Sequence, residues 1–114
     1  MTYLVQHLPK LRILLFLLIL SGSLSDCQSS VQWMIYNETY CSDKWTYDIN
    51  NEKLKDNVVA YLKSNGVKVY EIEIFSDLTP ETCTACTCKS GRRIKCKVPR
   101  RDVSAAKKQG FYEE

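Results

Sequence analysis

Six cysteines fall between Cys27 and Cys96 of a 114-residue chain, and the segment ahead of them decides their chemistry. Lys10 and Arg12 precede an unbroken apolar run, Ile13 to Leu20, which gives way to Ser21-Gly22-Ser23-Leu24-Ser25. That succession of basic, apolar and small residues marks residues 1–25 as a secretory signal peptide, cut after Ser25. The run is too short to cross a bilayer, so no membrane span is expected. Residues 26–114 then form a single secreted, cysteine-rich domain in an oxidising compartment, where Cys27, Cys41, Cys83, Cys86, Cys88 and Cys96 read as disulfide formers of open connectivity. A core this small is marginal alone, and each bridge adds about 2–4 kcal/mol to a stability of about 5–15 kcal/mol. Cys27 does not fit a lipoprotein signal, because Asp26 stands where that motif needs Gly or Ala.

The one histidine, His7, leaves with the signal segment. Ser-His-Asp and Cys-His catalysis and histidine-containing zinc sites are thereby excluded from the mature chain. No spacing of carboxylates points to an enzyme, and no cofactor is implied. Charge is strongly polarised. From Asp26 to Thr82 there are 5 basic and 10 acidic residues, whereas Cys83 to Glu114 holds 9 basic and 3 acidic ones. A cationic half of this kind attracts polyanions whatever the total charge.

Alternation of Val31, Trp33 and Ile35 with Gln32, Met34 and Tyr36 predicts a strand over 31–36. Asn37-Glu38-Thr39 follows as a glycosylation sequon, placing Asn37 in an exposed loop if it is used. Cys41 to Trp45 reads as a turn in which Asp43 bonds backbone amides and Trp45 plugs the fold; Trp33 and Trp45 as a glycan-stacking platform is the alternative. Asn50 or Asn51 caps a helix over 52–64 with Leu54, Val58, Tyr61 and Leu62 on one side and Asn65-Gly66 at its end. Residues 67–75 form a half-buried strand, 91–98 a second one, and Asp102 caps a helix over 102–109. The order predicts an α+β domain in which two helices cover one face of an antiparallel meander.

Cys83-Thr84-Ala85-Cys86-Thr87-Cys88 and then Cys96 is the most distinctive local pattern. The secreted setting makes it structural, with a four-cysteine zinc site and thiol exchange through Cys83 and Cys86 as lesser readings, so no metal is assigned. Glu81 to Val98 locally resembles the opening C-x2-C-x-C segment of von Willebrand factor C modules. The likeness covers under a fifth of the chain and lacks their later Cys-Cys pair, so their growth-factor-binding role is not carried over.

Seven basic residues crowd the stretch from Lys89 to Arg101. In a strand, Arg93, Lys95 and Lys97 share one face while Ile94, Cys96 and Val98 share the other. With Arg92, Arg100 and Arg101 they form the candidate polyanion site, and Gly91 to Cys96 also fits an XBBXBX heparin-binding pattern. Two plainer readings compete. The basic row blunts a strand edge, or it is neutralised by Glu71 and Glu73 across the sheet. The leading expectation is a secreted, non-enzymatic extracellular or matrix protein that engages sulfated glycans or acidic extracellular proteins rather than nucleic acid. The alternative is a soluble effector on a disulfide scaffold, such as a receptor ligand, toxin or inhibitor.

Overall fold

Three longer strands and two helices make up the computed structural model, which describes residues 30–114; the expected signal segment, residues 1–25, and Cys27 lie outside them. Strand β1 spans Val31–Thr39, β2 Glu71–Phe75 and β3 Lys89–Pro99. Helix α1, Asn51–Ser64, joins β1 to β2, and a 3-10 turn at Arg100–Asp102 leads into α2, Val103–Lys108, and a two-residue strand β4, Tyr112–Glu113. This is the small α+β domain that the pattern predicts, with both helices and all three longer strands near their expected places.

Strand order departs from a meander. The sheet runs β2-β3-β1-β4, with β3 antiparallel to both β1 and β2 and β4 antiparallel to β1. β1 and β2 are therefore parallel to each other with β3 inserted between them, which requires a long crossover, and α1 supplies it. α2 carries the chain from β3 to β4 in the same way across β1. Two interleaved split β-α-β units result, the ferredoxin-like succession, an architecture that does not by itself specify a function.

Leu54, Val58 and Leu62 recur at four-residue spacing on α1 and are fully buried. Asn50 caps the helix, its side-chain oxygen accepting from the Lys53 amide at 3.1 Å, and Gly66 at φ +79° closes it. They meet Met34, Ile94, Cys96 and Val98 from the sheet, Ala106 from α2, and Phe111. Trp45 joins this core, its ring 4.7 Å from Tyr36 and 5.8 Å from Tyr61. Asp43 Oδ1 ties the turn below it, accepting from the Tyr36 hydroxyl at 2.7 Å and from the Thr39 amide and hydroxyl at 3.2 and 2.6 Å. Burial, then that hydrogen bond, then the Asp43 and Glu38 charges raise the Tyr36 hydroxyl above its ordinary range. Asp102 does not cap α2 with its side chain; it accepts instead from the Lys68 amide at 3.0 Å.

Two disulfides form, Cys41–Cys86 and Cys83–Cys88. Cys96, expected among the staples, is a free buried thiol. Its place explains this. It points inward from the middle of the sheet, opposite Met34 on one side and Ile72 on the other, and no cysteine faces it among the described residues. Burial pushes the thiol up to about 12 from an ordinary 9.0. An acid held neutral in the fold ionises in the unfolded chain first, so its contribution to stability is complete below pH 9.0 and is lost as pH rises toward about 12. Cys96→Val is expected to shallow the alkaline loss of stability, measured by denaturant unfolding at about pH 8 and about pH 11. Cys96 is also expected to resist alkylation until the domain unfolds.

Candidate functional site

Registry sets charged residues among aromatic and aliphatic ones on one face of the sheet, the face away from the helices. Arg93, Lys95 and Lys97 lie there, opposite Asn37, Ile35 and Trp33 of β1 and Phe75, Glu73 and Glu71 of β2. The cationic row is thus real, but it is largely neutralised. Arg93 pairs with Asp77 and Lys95 with Glu114, each at 2.7 Å, while Lys97 stands 4.0 Å from Glu71. Lys95 and Lys97 also cover the Trp33 ring, at 4.9 and 5.9 Å from its centroid, and Arg93 covers Phe75 at 5.3 Å. Trp33 and Trp45 lie on opposite faces of the sheet and form no joint stacking platform.

Arg92 stands outside the row, because alternation puts it on the inward face with Ile94. Between Asn37/Arg93 and Thr39/Lys89 the register shifts, with β3 carrying the extra residues. Gly91 sits at the turn with φ +96°, and a Cβ there would lie 2.8 Å from the Leu78 carbonyl oxygen. The residues on either side of Gly91, Ser90 and Arg92, converge on Glu38. Ser90 Oγ donates to Glu38 Oε1 at 2.7 Å, and Arg92 grips both carboxylate oxygens through Nε and Nη2, each at 2.7 Å. Glu38 is 0% exposed. The remaining guanidinium donors reach the Asp48 and Ile49 carbonyls and Asn51 Oδ1. Arg92 is a structural clamp, unavailable to an external anion.

The sequon also lies in regular structure. Asn37 belongs to β1, on the helix-free face, and its Oδ1 accepts from the Tyr112 hydroxyl at 3.4 Å; Glu38 and Thr39 are buried. The two usual ways of deleting a sequon should therefore differ. Thr39→Ala removes the hydroxyl that bonds Asp43 and accepts from the Ser42 amide, and is expected to cost about 1–2 kcal/mol. Asn37→Gln should leave the denaturation midpoint nearly unchanged.

In the cysteine loop, Cys83 pairs with Cys88 and Cys86 with Cys41, so the Cys83–Cys86 exchange pair does not form. Glu81 lies beside the Cys83 and Cys88 sulfurs, but those sulfurs are bonded to each other and a metal site would need them as thiolates. The loop is further sewn down by backbone bonds from the Tyr40 amide to Cys88 and from the Cys41 amide to Cys86.

A second basic cluster gathers where β3 ends. Lys63, Lys68, Arg101 and Asp102 line an open cleft of about 530 Å³ together with Val59 and the Gly66–Val69 turn. A smaller cleft of about 180 Å³ beside it is lined by Arg100, Arg101 and Tyr70. Among the described residues Asp102 is the single acid lining either cleft, and it is engaged by the Lys68 amide and, at 3.9 Å, by Arg101. The Arg101 side chain is 75% exposed, and Lys68 lies over the Tyr70 ring. Arg100 and Arg101 belong to the basic stretch found in the sequence. Lys63 and Lys68 come from the acidic half of the chain, where only their flanking of the helix-ending Asn65-Gly66 could have signalled them.

The domain is thus a disulfide-stapled α+β fold with a neutralised sheet face and a cationic end. No protein-family model, curated protein or solved structure matches the chain. Among the described residues no helix is long and apolar enough to cross a membrane.

Proposed function

We propose that this chain is a secreted, non-enzymatic extracellular binding domain that engages sulfated or otherwise acidic glycans at the cationic end of its sheet. The observation that carries the reading is the convergence of Lys63, Lys68 and Arg101 on one open cleft that Asp102 also lines. Guanidinium groups donate in pairs to sulfate and carboxylate oxygens, and an open cationic cleft raises the local concentration of a polyanion. Secretion is supported by the apolar run behind Lys10 and Arg12 and by two disulfides, which persist in oxidising compartments. Arg93, Lys95 and Lys97 take a secondary part, since an incoming polyanion must compete with Asp77, Glu114 and Glu71 for them.

Retention on immobilised heparin tests this. The secreted protein is expected to elute with rising salt, and a Lys63→Ala/Lys68→Ala/Arg101→Ala variant to elute at much lower salt with an unchanged circular dichroism spectrum. An Arg93→Ala/Lys95→Ala/Lys97→Ala variant should keep most of the retention. The reverse ranking, or a wild type that passes unretained, would overturn the assignment.

A further inference from the structure

The clamp at Glu38 does more than link two strands, because it holds a loop whose exposed apolar side chains have no use inside the fold. Burying an ion pair carries a heavy desolvation cost, so such a pair adds little stability over an apolar substitute. What this one provides is geometry. Arg92 Nη2 donates to the Asp48 carbonyl at 2.9 Å, and Nη1 reaches the Ile49 carbonyl at 3.4 Å and Asn51 Oδ1 at 3.2 Å. Asp48 in turn accepts from the Asn50 amide, and Asn57 donates to the Thr46 carbonyl. The loop from Thr46 to Asn51 is therefore tied at both ends and in the middle, yet Ile49 is 84% and Tyr47 54% exposed.

Between this loop and the start of β3 lies an open cleft of about 660 Å³, within the about 300–1,000 Å³ usual for small-ligand sites. Tyr40, Tyr47 and Ile49 give it an apolar rim, and Asn51, Ser76 and Arg92 are among its polar lining. Arg92 stacks over the Tyr47 ring at 5.1 Å, bracing it while much of the side chain stays open to solvent. Electrostatically the cleft is balanced: Arg92 is matched by Glu38, and Glu52 at the rim by Lys55 at 3.0 Å. It therefore suits a different ligand from the cationic end.

We infer that this cleft binds an uncharged saccharide. A sugar ring has an apolar C–H face for Tyr47 and Ile49 and a rim of hydroxyls for the amide and hydroxyl groups of Asn50, Asn51 and Ser76. Rigid presentation by the clamp lowers the ordering cost that a mobile loop would add on binding. The site shares no residue with the basic cluster, so its failure leaves the acidic-glycan reading untouched, and the converse holds.

The test is an NMR titration of the disulfide-intact secreted protein with three uncharged probes: chitotriose, mannotriose and lactose. Shifts at Tyr47, Ile49, Asn51 and Arg92 are expected for at least one of them. Tyr47→Ala, at an exposed position that should not unfold the domain, is expected to weaken that binding about tenfold while leaving heparin retention unchanged. Absence of shifts with all three probes, shifts confined to Lys68 and Arg101, or equal affinity in Tyr47→Ala would overturn the proposal. So would capture of a protein partner through the Tyr47–Ile49 rim by a domain that binds none of the sugars.

Discussion

Arg92→Ala is expected to destabilise the domain by about 3–5 kcal/mol, because it leaves a buried charge without its partner. The loss is mostly the cost of leaving Glu38, fully buried, with only the Ser90 hydroxyl as partner. The comparison that isolates this is Glu38→Met/Arg92→Met. Removing both charges together abolishes the unpaired-carboxylate penalty, so the double variant should recover much of the stability lost in Arg92→Ala. It should not recover the loop. Hydrogen exchange at Tyr47 to Asn51 is expected to quicken in both variants, because the carbonyls of Asp48 and Ile49 lose their donor in each. Urea unfolding measures the first effect and exchange mass spectrometry the second. Equal stability of wild type and Arg92→Ala would mean that the clamp carries no weight.

Breaking the Cys41–Cys86 bridge ranks next. It closes a chain separation of 45 residues, for which the loss of unfolded-state entropy amounts to about 4 kcal/mol. Cys83–Cys88 closes a separation of only 5 residues, for which the same relation gives about 2 kcal/mol. A Cys41→Ser/Cys86→Ser variant is therefore expected to melt well below a Cys83→Ser/Cys88→Ser variant, by calorimetry under non-reducing conditions. The longer bridge spans α1 and β2 and fastens the end of β1 to the loop before β3. Its removal acts on the whole domain, whereas the shorter bridge shapes only the loop tip.

The fold was legible where periodicity is strong. Ile94, Cys96 and Val98 turn inward as alternation requires, and the Leu54-Val58-Leu62 stripe and the Asn50 cap set α1. Strand order was not legible, because alternation fixes which face a residue takes but not which strand lies beside it. β4 was missed for a related reason: two residues carry no period, and its pairing with Met34 and Ile35 is wholly tertiary. The site was read less well. Partners of the basic row lie far along the chain, Asp77 16 residues from Arg93 and Glu114 19 from Lys95, so their neutralising effect appears only in three dimensions. One signal was present and unused. Extending the Met34, Tyr36 alternation by two residues puts Glu38 on the inward face, and an inward carboxylate requires a buried cationic partner. Arg92 keeps the same alternation, on the inward face with Ile94, so only its pairing with Glu38 beside the bulge at Gly91 is tertiary.

The most direct test of the proposed acidic-glycan binding at the sheet end is an NMR titration of the disulfide-intact protein with a heparin-derived hexasaccharide, mapped residue by residue. The account predicts that the largest shifts fall on Lys63, Lys68, Arg100 and Arg101, diminish steeply with added salt, and largely spare Arg92 and Tyr47. Shifts centred on Arg93, Lys95 and Lys97, or no saturable shift at low salt, would contradict it.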